Sequence, residues 1–240
     1  MQKLTRSALV TGGAKRIGKE IALSLSLSGF KIALHYNHSQ KEAREIQEEI
    51  QDLGGTCEIF ACDFAKGTQT QKLIAAVKKR FPDLQLLINN ASIFEMDSIF
   101  ERSLKKFDTH FTVNFKTPFI LTQEFARTCK SGHIINILDT NITRNRSKYF
   151  SYLLSKKCLA ELTQFTALEL APKFRVNAIA PGFILPPSDN SPRKSKDRLK
   201  KIPLEKKGEP YQILQTIEFL IRNDYVTGQI IYSDGGEHLL

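Results

Sequence analysis

Apolar and polar positions along this chain follow two alternating rhythms. Short apolar runs of strand length give way to longer stretches in which apolar residues return at the spacing of one helix face. The first run is 6–10, followed by a glycine turn and a helix near 16–28. A second strand is expected at 31–36 and a charged helix near 40–53, where Ile46 and Ile50 lie four apart. The same reading gives a strand at 58–61, a helix at 69–80 and a strand at 84–89. Helices near 101–110 and 117–129 precede a strand at 132–138. A long helix near 150–170 should stop at Ala171 and Pro172, because proline cannot continue it. A strand at 174–179, a helix near 210–222 and a strand near 229–233 close the chain. Such alternation predicts βαβ units with right-handed crossovers. The fold class is α/β: one doubly wound domain over 1–240 around a parallel sheet of about seven strands.

Size and composition fit that picture. A chain of 240 residues, 41% hydrophobic and 25% charged, is near the upper size for one core. No apolar run approaches the roughly 18 residues that would cross a bilayer. The first residues lead straight into a strand without a signal peptide's apolar core, so a cytoplasmic protein is expected. Four cysteines without a Cys-x-x-Cys pair predict reduced, mostly buried thiols. His35 and His38 lack further ligands nearby, so no metal site is expected.

The net charge of +10 favours anionic partners. Much of it is local: residues 193–207 hold eight basic side chains against Asp197 and Glu205. They fall in or next to the long irregular stretch 181–204, expected to be a flexible substrate loop. The stretch is either a solvated surface or a lid that draws in an anionic substrate, such as a carboxylated tail.

Candidate chemistry begins at Thr11-Gly12-Gly13-Ala14-Lys15-Arg16-Ile17-Gly18, between the first strand and first helix. Gly12 and Gly18 permit a tight turn, and the helix start offers free N–H groups to a phosphate. This is the phosphate loop of a Rossmann-type dinucleotide site. An NAD site commonly places an acid about 20 residues further on. Here the second strand ends His35-Tyr36-Asn37-His38-Ser39, and no acid appears before Glu42. Arg16, Asn37, His38 and Ser39 could instead bond a 2′-phosphate, so NADPH is expected over NADH.

Tyr152 and Lys156 lie four apart on the long helix and share a face, with Asp139 thirteen residues before the tyrosine. A lysine beside a phenol should lower its pKa and make it a usable proton donor near neutrality. Taken alone, the pair could equally be a surface ion-helix feature.

Together these residues resemble the short-chain dehydrogenase/reductases over essentially the whole chain. The resemblance adds Asn89-Asn90-Ala91-Ser92, which lines the cofactor site and steadies the central strand. Asn114 is implied to help hold a proton-relay water, and Asp63, beside Phe64, to contact adenine. Pro181-Gly182 is implied to wall the nicotinamide. Arg16 in place of glycine, Asp139 in place of serine, the His-Tyr-x-x-Ser after the second strand and Phe94 are similar to the pteridine reductases, in their bacterial dihydromonapterin/dihydrofolate reductase branch. That likeness implies NADPH-dependent reduction of a dihydropterin, with Asp139, Tyr152, Lys156 and Asn114 at the chemistry. It implies substrate contacts from Arg16, Ser92, Phe94, Asp139 and Tyr152. The implied cofactor contacts are the loop residues, Tyr36 to Ser39, Asp63, Phe64, Asn90 to Ser92, Lys156, Pro181 and Gly182. A homotetramer or homodimer is implied, with the 150–170 helix on the dimer face. Leu154, Cys158, Leu162 and Phe165 are expected as an apolar stripe there. Neither nucleic acid nor membrane is expected as a partner. Two other readings remain: an NADPH-dependent carbonyl or 3-oxoacyl reductase, and a non-catalytic nucleotide-sensing binding protein.

Overall fold

The strands are apolar on both faces, so both faces need cover. The computed structural model describes residues 6–145, 148–184, 197 and 199–240, with the main chain only at 67 and 68. The strands are β1 (Arg6–Val10), β2 (Phe30–Tyr36), β3 (Cys57–Ala61), β4 (Leu84–Asn89), β5 (Gly132–Ile137), β6 (Phe174–Pro181) and β7 (Ile230–Ser233). They form one sheet in the order β3-β2-β1-β4-β5-β6-β7, parallel throughout. This is the doubly wound α/β domain that the alternation predicts.

The helices are α1 (Arg16–Leu27), α2 (Gln40–Asp52), α3 (Gly67–Arg80), α4 (Lys105–Phe111), α5 (Thr117–Thr128), α6 (Phe150–Glu169) and α7 (Pro210–Arg222). Successive strand residues serve opposite layers. Ala8, Val10, Ile32 and Leu34 pack with Ile21 and Leu25 of α1 and Ile213 and Ile217 of α7. Leu9, Ala33 and Leu87 pack with Leu73 and Ile74 of α3 and Leu121 and Phe125 of α5. Each fully buried side chain of this size is worth roughly 1.5–3 kcal/mol relative to exposure. That burial offsets the cost of the polar groups gathered at the strands' carboxyl ends. Cys57, Cys62 and Cys129 are buried thiols, and burial pushes Cys57 up to about 12. Among the described residues no helix is long and apolar enough to cross a membrane.

β1 and β4 are neighbours, yet the chain leaves them towards opposite edges of the sheet. A crevice opens where the winding reverses, beyond the carboxyl ends of these strands. The glycine loop after β1 and the Asn90–Ser92 turn after β4 both border it.

Two elements differ from the sequence expectation. The helix expected at 101 begins at Lys105. A turn precedes it, in which Glu101 N–H donates to the Ser98 carbonyl and Lys105 N–H to the Ser103 hydroxyl. The break expected between 110 and 117 is absent, because α4 runs through a π-helical turn, Thr112–Lys116, into α5. Pro118 explains it: proline has no N–H to give the Asn114 carbonyl four residues back. Most of the expected 181–204 loop, and half of the basic side chains of 193–207, lie outside the described residues.

Candidate active site

The glycine loop is held from three sides. Asn90 donates from its side-chain amide to the carbonyls of Thr11 and Gly12, at 2.9 and 3.1 Å. The Thr11 hydroxyl accepts the N–H groups of Asn90 and Ala91 and donates to Ile88. Gly12 takes φ 61, and a Cβ there would lie 2.9 Å from Ala91 Cα. A Cβ on Gly18 would lie 2.2 Å from the Gly12 carbonyl oxygen. The loop therefore needs glycine at both positions. The residue before α1, Lys15, makes no side-chain cap, so the first-turn N–H groups keep their donors for an anion. Arg16 opens α1 at φ 54, a left-handed value that costs a non-glycine residue roughly 1–2 kcal/mol. Its side chain is exposed. Lys15 pairs with Glu42 at 2.6 Å. Ile17 packs partly buried against the core.

The third support is His35, the first residue of the His-Tyr-x-x-Ser stretch, for which the sequence suggested no contact. Its Nδ1 accepts the Gly12 N–H at 3.0 Å, and its Nε2 lies 2.9 Å from the Cys62 carbonyl. A carbonyl only accepts, so the ring is neutral with its proton on Nε2. Burial lowers His35 from 6.5 to about 4, against a smaller raising effect of the Cys62 bond. Between these values the unfolded chain holds more protons than the folded one. Stability should therefore fall as pH drops from 6.5 towards 4, by about 3 kcal/mol from this residue alone. Urea unfolding of His35→Gln across that window should show a flatter pH dependence than the parent protein. His133, lowered to about 3 by burial and by Arg175, is common to both proteins and cancels. Equal slopes in the two proteins would remove the assignment.

The end of β2 carries the other expected cofactor residues. Asn37 and His38 are exposed, Ser39 is half-buried, and Asn37 donates to the Asp63 carboxylate at 3.3 Å. Tyr36 and Phe64, also expected at the cofactor, turn their side chains inward. Tyr36 lies in the core, and Phe64 is buried, stacked on His35 with centroids 4.1 Å apart. Both rings are enclosed by protein, so what each could offer a ligand is main chain. Pro181 ends β6. The Gly182 N–H donates to Ser233 at 3.1 Å, and a Cβ on Gly182 would lie 2.6 Å from Asp234.

The sheet and α6 bring together the residues expected to carry acid–base chemistry. β5 ends at Ile137, and Asp139 caps the short 3-10 turn Thr140–Thr143. Its Oδ1 accepts the main-chain and side-chain N–H groups of Asn141 at 2.7 and 2.6 Å. That leaves Oδ2 for the Tyr152 hydroxyl, which donates to it at 2.9 Å. The Lys156 ammonium donates to the Ile137 carbonyl at 2.7 Å. Below them runs a buried chain from Asn89 to Asn136 to Thr163, which ties β4, β5 and α6. The turn after Asp139 is tied to the C-terminal segment by a hydrogen bond from the Thr140 hydroxyl to Asp234.

The expected lowering of the tyrosine pKa is overturned. Burial, the Asp139 charge and the hydrogen bond to Asp139 raise Tyr152 well above 10. The phenol donates to a carboxylate rather than sitting against the ammonium, so its neutral form is favoured. Burial lowers Lys156 to about 8, partly countered by Asp139.

Asn114 sits on the π turn. Its Oδ1 accepts from Ile93 N–H and the Ser92 hydroxyl, at 2.9 and 3.1 Å. Its Nδ2 donates to the Ile93 carbonyl and the Ser155 hydroxyl, at 3.1 and 3.2 Å. All four positions are taken by protein, so the side chain braces. Phe94 is not core: it is 57% exposed, stacked on Tyr149 and edge-on to Tyr152, with centroids at 4.3 and 4.6 Å.

The α6 stripe is only partly covered within the single chain. Leu162 is buried, but Leu154 is at the border of exposure and Phe165 and Leu168 are 69% and 83% exposed. The inward face carries Ser151, Tyr152, Ser155, Lys156 and Thr163 beside Leu159, Ala160 and Leu162, which pack with Ala178 and Ala180 of β6.

A family model described as enoyl-(acyl carrier protein) reductase matches residues 12–238. The chain belongs to the short-chain dehydrogenase/reductase family of oxidoreductases. Within it, the chain is similar to pteridine reductase-like members. It is 36% identical to FolM alternative dihydrofolate reductase 1 from Brucella suis, crystallised with NADP, at a TM-score of 0.94 over 99% of this chain and 96% of that one. The Brucella canis protein, also complexed with NADP, gives 36% and a TM-score of 0.93, covering 98% and 94%. Among curated sequences it is 32% identical to the 3-oxoacyl-[acyl-carrier-protein] reductase FabG of Staphylococcus epidermidis, over 98% of this chain and 100% of that protein.

Proposed function

We propose that this protein reduces a dihydropterin (dihydromonapterin, dihydrobiopterin or dihydrofolate) to its tetrahydro form with NADPH. The observation that carries the reading is the Asp139–Tyr152 hydrogen bond beside the half-exposed ring of Phe94. A ketone reductase needs a donor to a carbonyl oxygen. An acid hydrogen-bonded to a phenol suits a ring nitrogen that must receive a proton, and an aminopterin edge that offers N–H groups.

The cradle fits a dinucleotide. Gly12 and Gly18 leave room that a Cβ would fill, and the first turn of α1 is uncapped. No acid stands between His35 and Ser39 to repel a 2′-phosphate, and Glu42 is engaged by Lys15. Arg16, Asn37, His38 and Ser39 would hold that phosphate, and Asp63 the adenine. When bound, NADPH supplies the hydride. Tyr152 would give its proton towards the substrate nitrogen, and a proton taken up from solvent by the Asp139 carboxylate, bonded to the same hydroxyl, would pass back to the phenolate. The buried Lys156 ammonium would offset the negative charge that appears as the phenol gives up its proton, and it would hold the nicotinamide ribose. Phe94 offers the ring face turned away from Tyr149 as a stacking surface for the pterin. Ser92 and Arg16 border the same crevice.

A 3-oxoacyl reductase is the second reading, supported by the FabG likeness and opposed by Asp139. NADPH oxidation screened against the three dihydropterins and an acetoacetyl thioester separates the two. Turnover of a dihydropterin, with NADPH bound more tightly than NADH, is the expected result. Preference for the thioester would move the protein to the second reading.

We also place the enzyme in the cytoplasm as a homodimer or homotetramer. The exposed stripe of Leu154, Phe165 and Leu168 supports the oligomer, as does the apolar groove of Phe111, Phe115 and Phe119. A second copy would cover both.

A further inference from the structure

α6 carries Tyr152 and Lys156 but lacks a cap of its own. The residue before it, Tyr149, has φ 65 and ψ 40 and makes no side-chain cap. The first N–H groups of a helix need partners, and here they come from a residue far away in sequence. The Asp97 carbonyl accepts the N–H groups of Tyr149 and Phe150, at 3.1 and 3.5 Å. The Asp97 carboxylate accepts Ser151 N–H through both oxygens, at 3.1 and 3.3 Å. Asp97 is buried, and among the described residues no basic side chain pairs with it. A negative charge at this end of the helix is favoured by the helix dipole.

The segment that holds Asp97 also carries Phe94, and every few residues it is pinned to another element. Asn114 bonds Ser92 and Ile93. His110 on α4 accepts Glu95 N–H at 3.2 Å, and its other nitrogen lies 2.8 Å from the Lys106 carbonyl. Lys106 donates to the Met96 carbonyl. Asp97 is the pin that faces α6. The stacked rings of Phe94 and Tyr149 join the same two pieces at the surface.

We propose that Asp97 is a positioning residue that sets the first turn of α6, and with it the Tyr152 hydroxyl, against the loop bearing Phe94. Its effect on turnover rests on the dihydropterin reading; its effect on α6 does not. Without Asp97 the first turn frays and the tyrosine loses its fixed place against Asp139. A displacement of about 1 Å at a reacting group can cost about 10²-fold.

The test compares Asp97→Ala and Asp97→Asn with the parent protein by hydrogen–deuterium exchange and steady-state kinetics. Asp97→Ala should speed exchange in 149–153, leave 11–18 unchanged, and lower kcat with the dihydropterin about 10- to 100-fold. NADPH affinity should stay at its parent value. Asp97→Asn keeps an acceptor for Ser151 N–H and should restore protection and most of the turnover. Parent-like exchange at 149–153 in Asp97→Ala would overturn the proposal. So would loss of NADPH affinity in step with kcat, the mark of general destabilisation. A parent protein that reduces no dihydropterin would defeat the functional reading alone, and the exchange data would still decide the role of Asp97.

Discussion

Tyr152→Phe lowers kcat for dihydropterin reduction by about 10² to 10⁴, the usual worth of a positioned acid, and leaves NADPH binding intact. The reason is local. The hydroxyl is the only polar atom the substitution removes, and its hydrogen bond runs to Asp139 Oδ2 at 2.9 Å, not into the glycine loop. The change also leaves that carboxylate oxygen short of a partner, which costs about 1–3 kcal/mol of stability. A thermal melt should register that loss separately from the kinetics. Asp139→Ala should lower kcat too, and the double variant should lose little more than the worse single one, because the two groups act as a unit. The basic limb of the pH profile gives a further readout. The Asp139 charge helps hold the phenol in its neutral form, so removing it should move the tyrosine's ionisation to lower pH. Additive losses, or an unmoved basic limb in Asp139→Ala, would mean that the pair does not share the proton.

Gly18→Ala has the second large effect, and it falls on binding rather than on chemistry. The new Cβ would sit 2.2 Å from the Gly12 carbonyl oxygen and 2.6 Å from the Asn90 amide. Neither neighbour can swing aside. The Gly12 carbonyl belongs to the loop itself, and the Asn90 amide is committed to Thr11 and Gly12. The start of α1 must move away from the loop. Overpacking of this kind costs about 1–3 kcal/mol, so NADPH affinity should drop about 10- to 100-fold. Gly29→Ala is the control. Gly29 has φ 85, and an added Cβ there meets nothing within 4 Å. It should lose stability through backbone strain while binding NADPH normally. Equal affinities in the two variants would show that the loop does not cradle the cofactor.

Much of the architecture was legible because the central strands are buried on both sides and each helix on one. Runs such as Ala8–Val10 and Leu86–Ile88 can only be central strands, and Ala43, Ile46 and Ile50 can only line one helix face. The boundary at α7 was readable from Pro210, and the Glu209 N–H to Gln212 side-chain bond at 2.7 Å fixes it. The helix expected at 101–110 was placed too early. Ser98 and Ser103 offered acceptors that formed a turn, a local competition that apolar spacing does not register.

The amino-acid order by itself determined the sheet, the glycine loop after its first strand and the residue types that gather at the crevice. Covalent spacing, apolar period and the special backbone of glycine and proline act over a few residues, and these features need nothing more. Which atoms meet was decided by the tertiary structure. The tyrosine faces an aspartate rather than the lysine one turn away, because β5 ends where Asp139 can reach under α6. His35 became a brace for the loop because β2 and β3 end side by side. Asp97 became the cap of a helix 54 positions away because the β4–α4 loop lies across its start. Hydrogen-bond partners and the pKa values they set depend on distances across elements, and a linear pattern carries no such distances.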